Sequence, residues 1–347
     1  MMILTIKDIA RESGYSVSTV SRVLNNRRDV SPEARSRIME VVELHNFVLN
    51  NNAKQLKQTA SCLIAVIVKG TSNMLFSSIV EVIQKRIEST KYSVGVFYLD
   101  EDENEVEHAL MLCREKKPQG ILFLGGNPDY FKKGFEQVNV PCVLVTTESK
   151  ELNYENLSSV SINDAEAAKC AVDCLFEQGH SKIGIIGGDP RTSYTSHLRL
   201  IGSMESFQEH GIMFDAEKYY SKARYSYASG YHAMERMMEK AGDVTAVFAM
   251  SDVMAIGAIR ALRDRNLEIP EDVSVIGFDG TTLAYYYNPK LATVKQQSQT
   301  LATESVNILM NMIETDGGVV HESVPFELVT GESIKSLNKG GIKKNEK

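Results

Sequence analysis

Residues 5–26 read TIKDIARESGYSVSTVSRVLNN, and their spacing decides the fold of the N-terminus. Ile6, Ile9 and Ala10 share one helical face, and Val20, Val23 and Leu24 share another after a break at Gly14. Small Ala10 lets two helices approach closely, and glycine tolerates the positive φ that a sharp inter-helix turn needs. Ser18, Thr19, Ser21 and Arg22 then point away from the second apolar face. This is the layout of a helix-turn-helix, whose second helix enters the major groove and offers its N-terminal side chains to base edges. An amphipathic helical hairpin without a ligand has the same periodicity, so the neighbouring sequence must separate the two.

That sequence adds a third helix. Ser31 suits its N-cap and Pro32 its first helical position, and Ala34, Ile38, Val41 and Val42 would close a small three-helix core. Charge points the same way. Through residue 58 there are nine Lys/Arg against six Asp/Glu, a net +3, which leaves −10 for the rest of a chain whose total is −7. A basic head on an acidic body suits contact with phosphates.

With 347 residues, 43% of them hydrophobic, the chain has room for two or three domains, a small head and a large α/β body. Lys7 and Asp8 interrupt the first apolar run, so no signal peptide is expected. No stretch approaches the roughly 20 apolar residues that span a membrane. The five cysteines, Cys62, Cys113, Cys142, Cys170 and Cys174, are odd in number and form no C-x-x-C pair. Buried, reduced thiols are expected, with no disulfide framework, no metal and no cofactor.

From residue 61 onward strands alternate with helices. Residues 63–68 are a continuous apolar strand, 79–87 have helical spacing, and 93–99 are a strand again. A helix at 105–116 and strands at 120–124 and 141–146 follow. A second series is expected to open with the strand 158–163. It continues with a helix to 178, a strand at 182–186, a helix at 196–210, a strand at 246–250, a helix at 252–266 and a strand at 274–278. Alternation with fully apolar strands means parallel sheets covered on both faces, and two series mean two lobes with a ligand cleft at the strands' carboxyl ends. Gly184, Gly187 and Gly188 do not have dinucleotide-loop spacing. There is no G-x-S-x-G, H-E-x-x-H or Walker loop, and His197 has no nucleophile beside it, so no catalytic residue is nominated.

The head, TIKDIA followed by G-x-S-x-x-T-V-S-R-V-L-N, resembles the DNA-binding headpiece of the lactose/galactose repressor (LacI/GalR) family of bacterial transcriptional regulators. So do VSPE at 30–33 and VELHNF at 42–47. The body resembles the periplasmic-binding-protein-like core of the same family in QGHSKI at 178–183, SDVMAIG at 251–257 and IPEDVSVIGFD at 269–279. The likeness covers residues 4–335, and two signatures on one chain are far more specific than either alone. It implies an α/β fold: an all-α helix-turn-helix headpiece over residues 1–49, a hinge over 50–60 and a two-lobed core over 61–337. The N-lobe would comprise about 61–162 and 298–324, the C-lobe about 163–293 and 325–337, and 338–347 a polar tail.

The resemblance also implies site residues. DNA contacts fall on Thr5, Tyr15, Ser16, Val17, Ser18, Thr19, Ser21, Arg22, Asn25 and Asn26. In the polar hinge segment, where Leu56 is the conspicuous apolar residue, they fall on Ala53 and Leu56. By composition that segment is a solvated linker. In the family it becomes a helix on the operator, with a leucine at the Leu56 position wedged into the minor groove. Effector contacts fall on Phe76, Asp164, Arg199, Tyr225, Ser251, Asp252, Asp279 and Gln296, a set of aromatic faces and hydrogen-bonding forks suited to a sugar. Gly280 stands where many members carry a second acidic residue, and Tyr285-Tyr286-Tyr287 adds aromatic bulk after it. The tail has no leucine heptad, which favours a homodimer over a tetramer.

The function expected is that of a cytoplasmic repressor of sugar-utilisation genes. It would bind a palindromic double-stranded operator as a dimer, with no membrane partner, and be released by a small sugar. Alternatives are a sugar- or nucleobase-responsive corepressor-type regulator and, in other classes, a sugar-binding transport protein or an enzyme on the same fold.

Overall fold

The computed structural model describes residues 6–24, 27, 30–45, 62–70 and 73–338. The chain divides into two compact units, Met1–Ala60 and Ser61–Lys347.

In the first unit, helices α1 (Ile6–Ser13), α2 (Val17–Leu24) and α3 (Pro32–Leu44) enclose a core of Ile9, Ala10, Val20, Val23, Ile38 and Val41. Ala34 is buried as well, whereas Val42 is only half-buried against that core. Gly14 ends α1 with φ +77°, and its N–H donates to the Ala10 carbonyl at 3.1 Å. No side chain other than hydrogen makes that conformation routine. Ser16 starts α2 by accepting the Thr19 N–H on its hydroxyl at 3.2 Å. Ser31 does the same for α3, accepting the Ala34 N–H at 3.3 Å, with Pro32 at the first position.

The second unit contains two six-stranded sheets. One has the order β11-β5-β4-β3-β1-β2, the other β12-β10-β9-β8-β6-β7. The first sheet comprises β1 (Leu63–Lys69), β2 (Ser93–Leu99), β3 (Gly120–Leu124), β4 (Cys142–Val145), β5 (Leu157–Ser161) and β11 (His321–Ser323). The second comprises β6 (Ile183–Gly187), β7 (Tyr220–Lys222), β8 (Ala246–Ala249), β9 (Ser274–Asp279), β10 (Ala292–Gln296) and β12 (Phe326–Val329). Every pairing is parallel except β10 with β12. The two orders match strand for strand, but the edge strand β12 runs antiparallel to β10 where its counterpart β11 runs parallel to β5. The chain crosses between lobes after β5, after β10 and after β11.

Two expectations change here. The strand expected to open the second series instead pairs with β4 and β11 in the first sheet, spanning Leu157–Ser161. A short strand pattern marks a strand but does not say which sheet buries it, and this one, LSSVS, is buried throughout. The helices expected from 79 and from 196 start earlier, at Met74 and Tyr194, because Asn73 and Ser193 cap them with side-chain acceptors. Only Cys142 of the cysteines is fully buried; the others are half-buried. Burial raises the thiols of Cys113, Cys142, Cys170 and Cys174 and keeps them protonated.

The helices Tyr227–Lys240 and Asp252–Asp264 cross at reciprocal glycines. A Cβ at Gly257 would sit 2.1 Å from the Tyr227 carbonyl oxygen, and one at Gly230 2.4 Å from that of Met254. Among the described residues, no helix is long and apolar enough to cross a membrane.

Candidate functional site

The head presents α2 as its polar helix. Ser16, Ser18 and Arg22 are exposed, and Val17 is 43% exposed although apolar. Thr19 and Ser21 are half-buried, and Tyr15 packs against the edge of the three-helix core. The Ser16 hydroxyl lies 2.7 Å from that of Ser18 and 2.9 Å from that of Thr19, so three hydroxyls are gathered at the helix N-terminus. A helix N-terminus with hydroxyls and unpaired amides is suited to phosphate, while the exposed Val17 and Arg22 suit base edges. Thr5, Asn25, Asn26, Ala53 and Leu56 lie outside the described residues.

In the body, the carboxyl ends of both sheets face a cavity of about 540 Å³. The first sheet contributes Lys69 from the end of β1 and the segments after β2, β3 and β4. The second contributes Gly188 and Asp189 after β6, residues 222–226 around the end of β7, Asp279 from β9 and Gln296 from β10.

Arg199, on the helix Tyr194–Glu209, is 4% exposed. Its Nε donates to Asp164 Oδ1 at 2.8 Å, another guanidinium N–H donates to the Met250 carbonyl, and the group lies 3.6 Å from the centroid of the Phe278 ring. Burial raises the Asp164 carboxyl, and the Arg199 charge opposes that rise. Asp279 is 3% exposed and accepts Gln296 Nε2 on Oδ1 at 2.8 Å. Burial pushes its carboxyl well above the ordinary range, Arg199 pulls it down, and the nearby Asp252 pushes it up again. Its φ of +115° is a strained conformation for a residue with a Cβ. Thr146, just past β4 at the equivalent place in the other sheet, also has positive φ, +70°, and also lines the cavity. The Tyr225 hydroxyl lies 2.8 Å from Ser196 Oγ, which accepts the Gly188 N–H at 3.0 Å.

The structure therefore brings Phe76, Arg199, Tyr225, Asp279 and Gln296 to one cavity. It does not bring Asp164, Ser251 or Asp252 to its lining, and each has a structural task instead. Asp164 holds Arg199 from behind. Ser251 caps the helix Asp252–Asp264 by accepting the Met254 N–H. Asp252, fully buried, accepts the Thr281 N–H at 2.7 Å and the Thr293 hydroxyl at 2.6 Å, tying β10 to the loop after β9. These residues sit beside cavity residues in the chain, and only packing tells lining from support.

Sequence reasoning missed most of the first lobe's share. Lys69 is paired with Glu105 at 2.7 Å, both nearly buried, and stands 4.4 Å from the Tyr130 ring centroid. Asn127 donates across the cleft to the Thr192 carbonyl at 3.1 Å. At the mouth, Arg224 of the second lobe bonds Asp100, and its Nε donates to Glu101 Oε1 of the first at 2.7 Å. The carboxyl-end rule, applied to every strand of the first sheet, would have found Lys69, Asp100 and Asn127.

Residues 5–50 match the family described as bacterial regulatory proteins, lacI family, and residues 172–334 match the periplasmic binding protein-like domain. The HTH-type transcriptional regulator MalR of Clostridium butyricum is 37% identical, over 96% of this chain and 100% of its own length. Catabolite control protein A of Priestia megaterium is 29% identical over the same shares. Among solved structures, a lac repressor dimer bound to operator and the anti-inducer ONPF superposes with TM-score 0.74 at 25% identity, covering 96% of this chain and 100% of that one. A transcriptional regulator CelR–cellobiose complex does so with TM-score 0.70 at 25% identity, covering 95% and 99%.

Proposed function

Because this chain belongs to the LacI family of bacterial transcriptional regulators, we propose that it is a cytoplasmic repressor that binds a pseudo-palindromic operator as a homodimer and leaves it when a sugar fills the cleft. The family is one of regulators, so the transport and enzymatic readings fall away. The observation that carries the proposal is the pairing, on one chain, of an exposed polar recognition helix with a two-lobed cleft built around a buried Arg199.

In this reading Val17, Ser18 and Arg22 read bases, Val17 offering apolar contact to a thymine methyl, while Thr19, Ser21 and backbone amides grip phosphates. Leu56 wedges into the minor groove at the centre of the site. The sugar packs on Phe76 and Tyr225 and bonds Arg199, Asp279 and Gln296. Its binding rearranges the lobe that carries the hinge, and by linkage sugar and operator weaken each other by the same factor.

Selection from a random duplex library with full-length protein, followed by titration of the selected site with sugars, tests this. The expected result is a two-fold symmetric site whose affinity drops at saturating sugar. Recovery of sequences no tighter than random DNA would overturn the proposal.

A further inference from the structure

We infer that the cleft takes an uncharged oligosaccharide of at least two rings and rejects anionic sugars, an inference that rests on the reading of the cleft as a sugar site. Its basis is how the polar groups of the lining are divided between those already satisfied and those left over.

Each cation that lines the cavity already holds an internal carboxylate. Lys69 has Glu105 at 2.7 Å, Arg199 has Asp164 at 2.8 Å, Lys222 has Asp189 at 2.8 Å, and Arg224 has Asp100 and Glu101. The Lys69 and Arg199 pairs are almost wholly buried, with side chains no more than 8% exposed. A phosphate or uronate could engage either cation only by displacing its partner, which would strand a buried carboxylate beside an incoming anion. Asp279, 3% exposed and lining the same cavity, offers an incoming anion a carboxyl without a basic side chain hydrogen-bonded to it. The electrostatics therefore oppose an anionic ligand.

The groups left over are of another kind. Among the described residues, the hydroxyls of Thr146, Tyr194, Thr195 and Ser229 line the cavity and make no hydrogen bond within the protein, and neither does the Oε1 acceptor of Gln296. Neutral donors and acceptors that face a cavity unsatisfied are what a polyhydroxylated ligand completes.

Size follows from the space. At about 30 Å³ per water, 540 Å³ is room for roughly 18 waters, more than one pyranose ring fills. The lining runs from Arg199 and Asp279 at the floor to Ser226, Ser229 and the Arg224 cluster at the mouth. One ring would fill only part of that space.

The test is calorimetric titration of the full-length protein with maltose, cellobiose, sucrose and trehalose against glucose, glucose 6-phosphate and glucuronate. At least one neutral disaccharide is expected to bind, at least tenfold tighter than glucose, and neither anion to compete with it. Tyr194→Phe and Thr195→Val should each weaken that disaccharide roughly threefold to tenfold while leaving ligand-free thermal unfolding unchanged, because both hydroxyls are unsatisfied without ligand. Tighter binding of glucose 6-phosphate or glucuronate, or glucose equal to every disaccharide, would overturn this inference and leave the sugar-responsive reading standing. Binding of no saccharide by a protein that still binds DNA would sink the sugar-responsive reading itself, and this inference with it.

Discussion

At the scale of single residues, three side chains separate recognition from support. Arg22 is exposed on α2, and its guanidinium fork matches guanine O6 and N7. Arg22→Ala should cost about 1–3 kcal/mol on the selected operator, and equal losses on random DNA would remove its base-reading role. Arg199 is a different case. Because it neutralises the buried Asp164, Arg199→Ala should cost about 3–5 kcal/mol of stability in denaturant unfolding as well as the sugar response. The cleaner probe of the cleft is Asp279→Asn. Burial raises the Asp279 carboxyl above its ordinary value of 3.8, so the folded state holds the proton more tightly than the unfolded chain does. Its contribution to stability is therefore full below pH 3.8 and is lost as pH rises through the folded pKa. Asp279→Asn should raise the melting temperature at pH 8 and change it little at pH 4, while abolishing sugar binding. An equal shift at both pH values would show that ionisation is not the cause.

Elements are decided by caps and crossings more than by propensity. Asn73, Ser193, Ser226 and Ser251 each stand in the loop between a strand's carboxyl end and the helix that follows, which they cap. Several cavity residues thus sit just past strand ends and in first helical turns. The Gly230–Gly257 crossing sets how closely two helices of the second lobe pack. Gly257→Ala drives a methyl against the Tyr227 main-chain oxygen, which cannot rotate away as a side chain would. We expect a loss of about 1–3 kcal/mol or more by urea denaturation, and an unchanged midpoint would mean that the crossing is loose.

On the scale of the whole molecule, function depends on how the two lobes of the body share the cleft. Asn127 with Thr192, Arg224 with Asp100 and Glu101, and Tyr227 with Met74 all join lobe to lobe around the rim. The Arg224 cluster is solvent-exposed, so it adds little to overall stability. Breaking it should act on the rate at which the cleft releases its ligand. Arg224→Ala is expected to leave the unfolding midpoint nearly unchanged and to speed sugar dissociation several-fold in stopped-flow. Raising the salt should narrow the gap between variant and wild type. Identical dissociation rates would leave the cluster without a gating role. Between sugar and operator, a coupling of roughly 1–3 kcal/mol is expected in both directions. It is measured by titrating each ligand in the presence of the other.

Much of this was legible in the order of residues alone. The periodicity around Gly14, the Ser31-Pro32 start and the runs of apolar strand residues are local, so each determines its element wherever the chain places it. The cleft's floor was half legible through the family resemblance, which pointed to Arg199, Tyr225, Asp279 and Gln296. What only the tertiary structure decided is which polar groups face the cavity and which stand behind it. Asp252 and Asp279 are both buried aspartates at strand ends, yet Asp252 spends both oxygens on Thr281 and Thr293, while Asp279 lines the cleft. The same holds for Leu157–Ser161, a serine-rich strand buried throughout that either sheet could have taken, and for Lys69 and Glu105, paired across 36 residues of chain. Side-chain type determines that a buried charge needs a partner. Which partner it finds is settled by contacts between residues distant in sequence, and no local pattern encodes them.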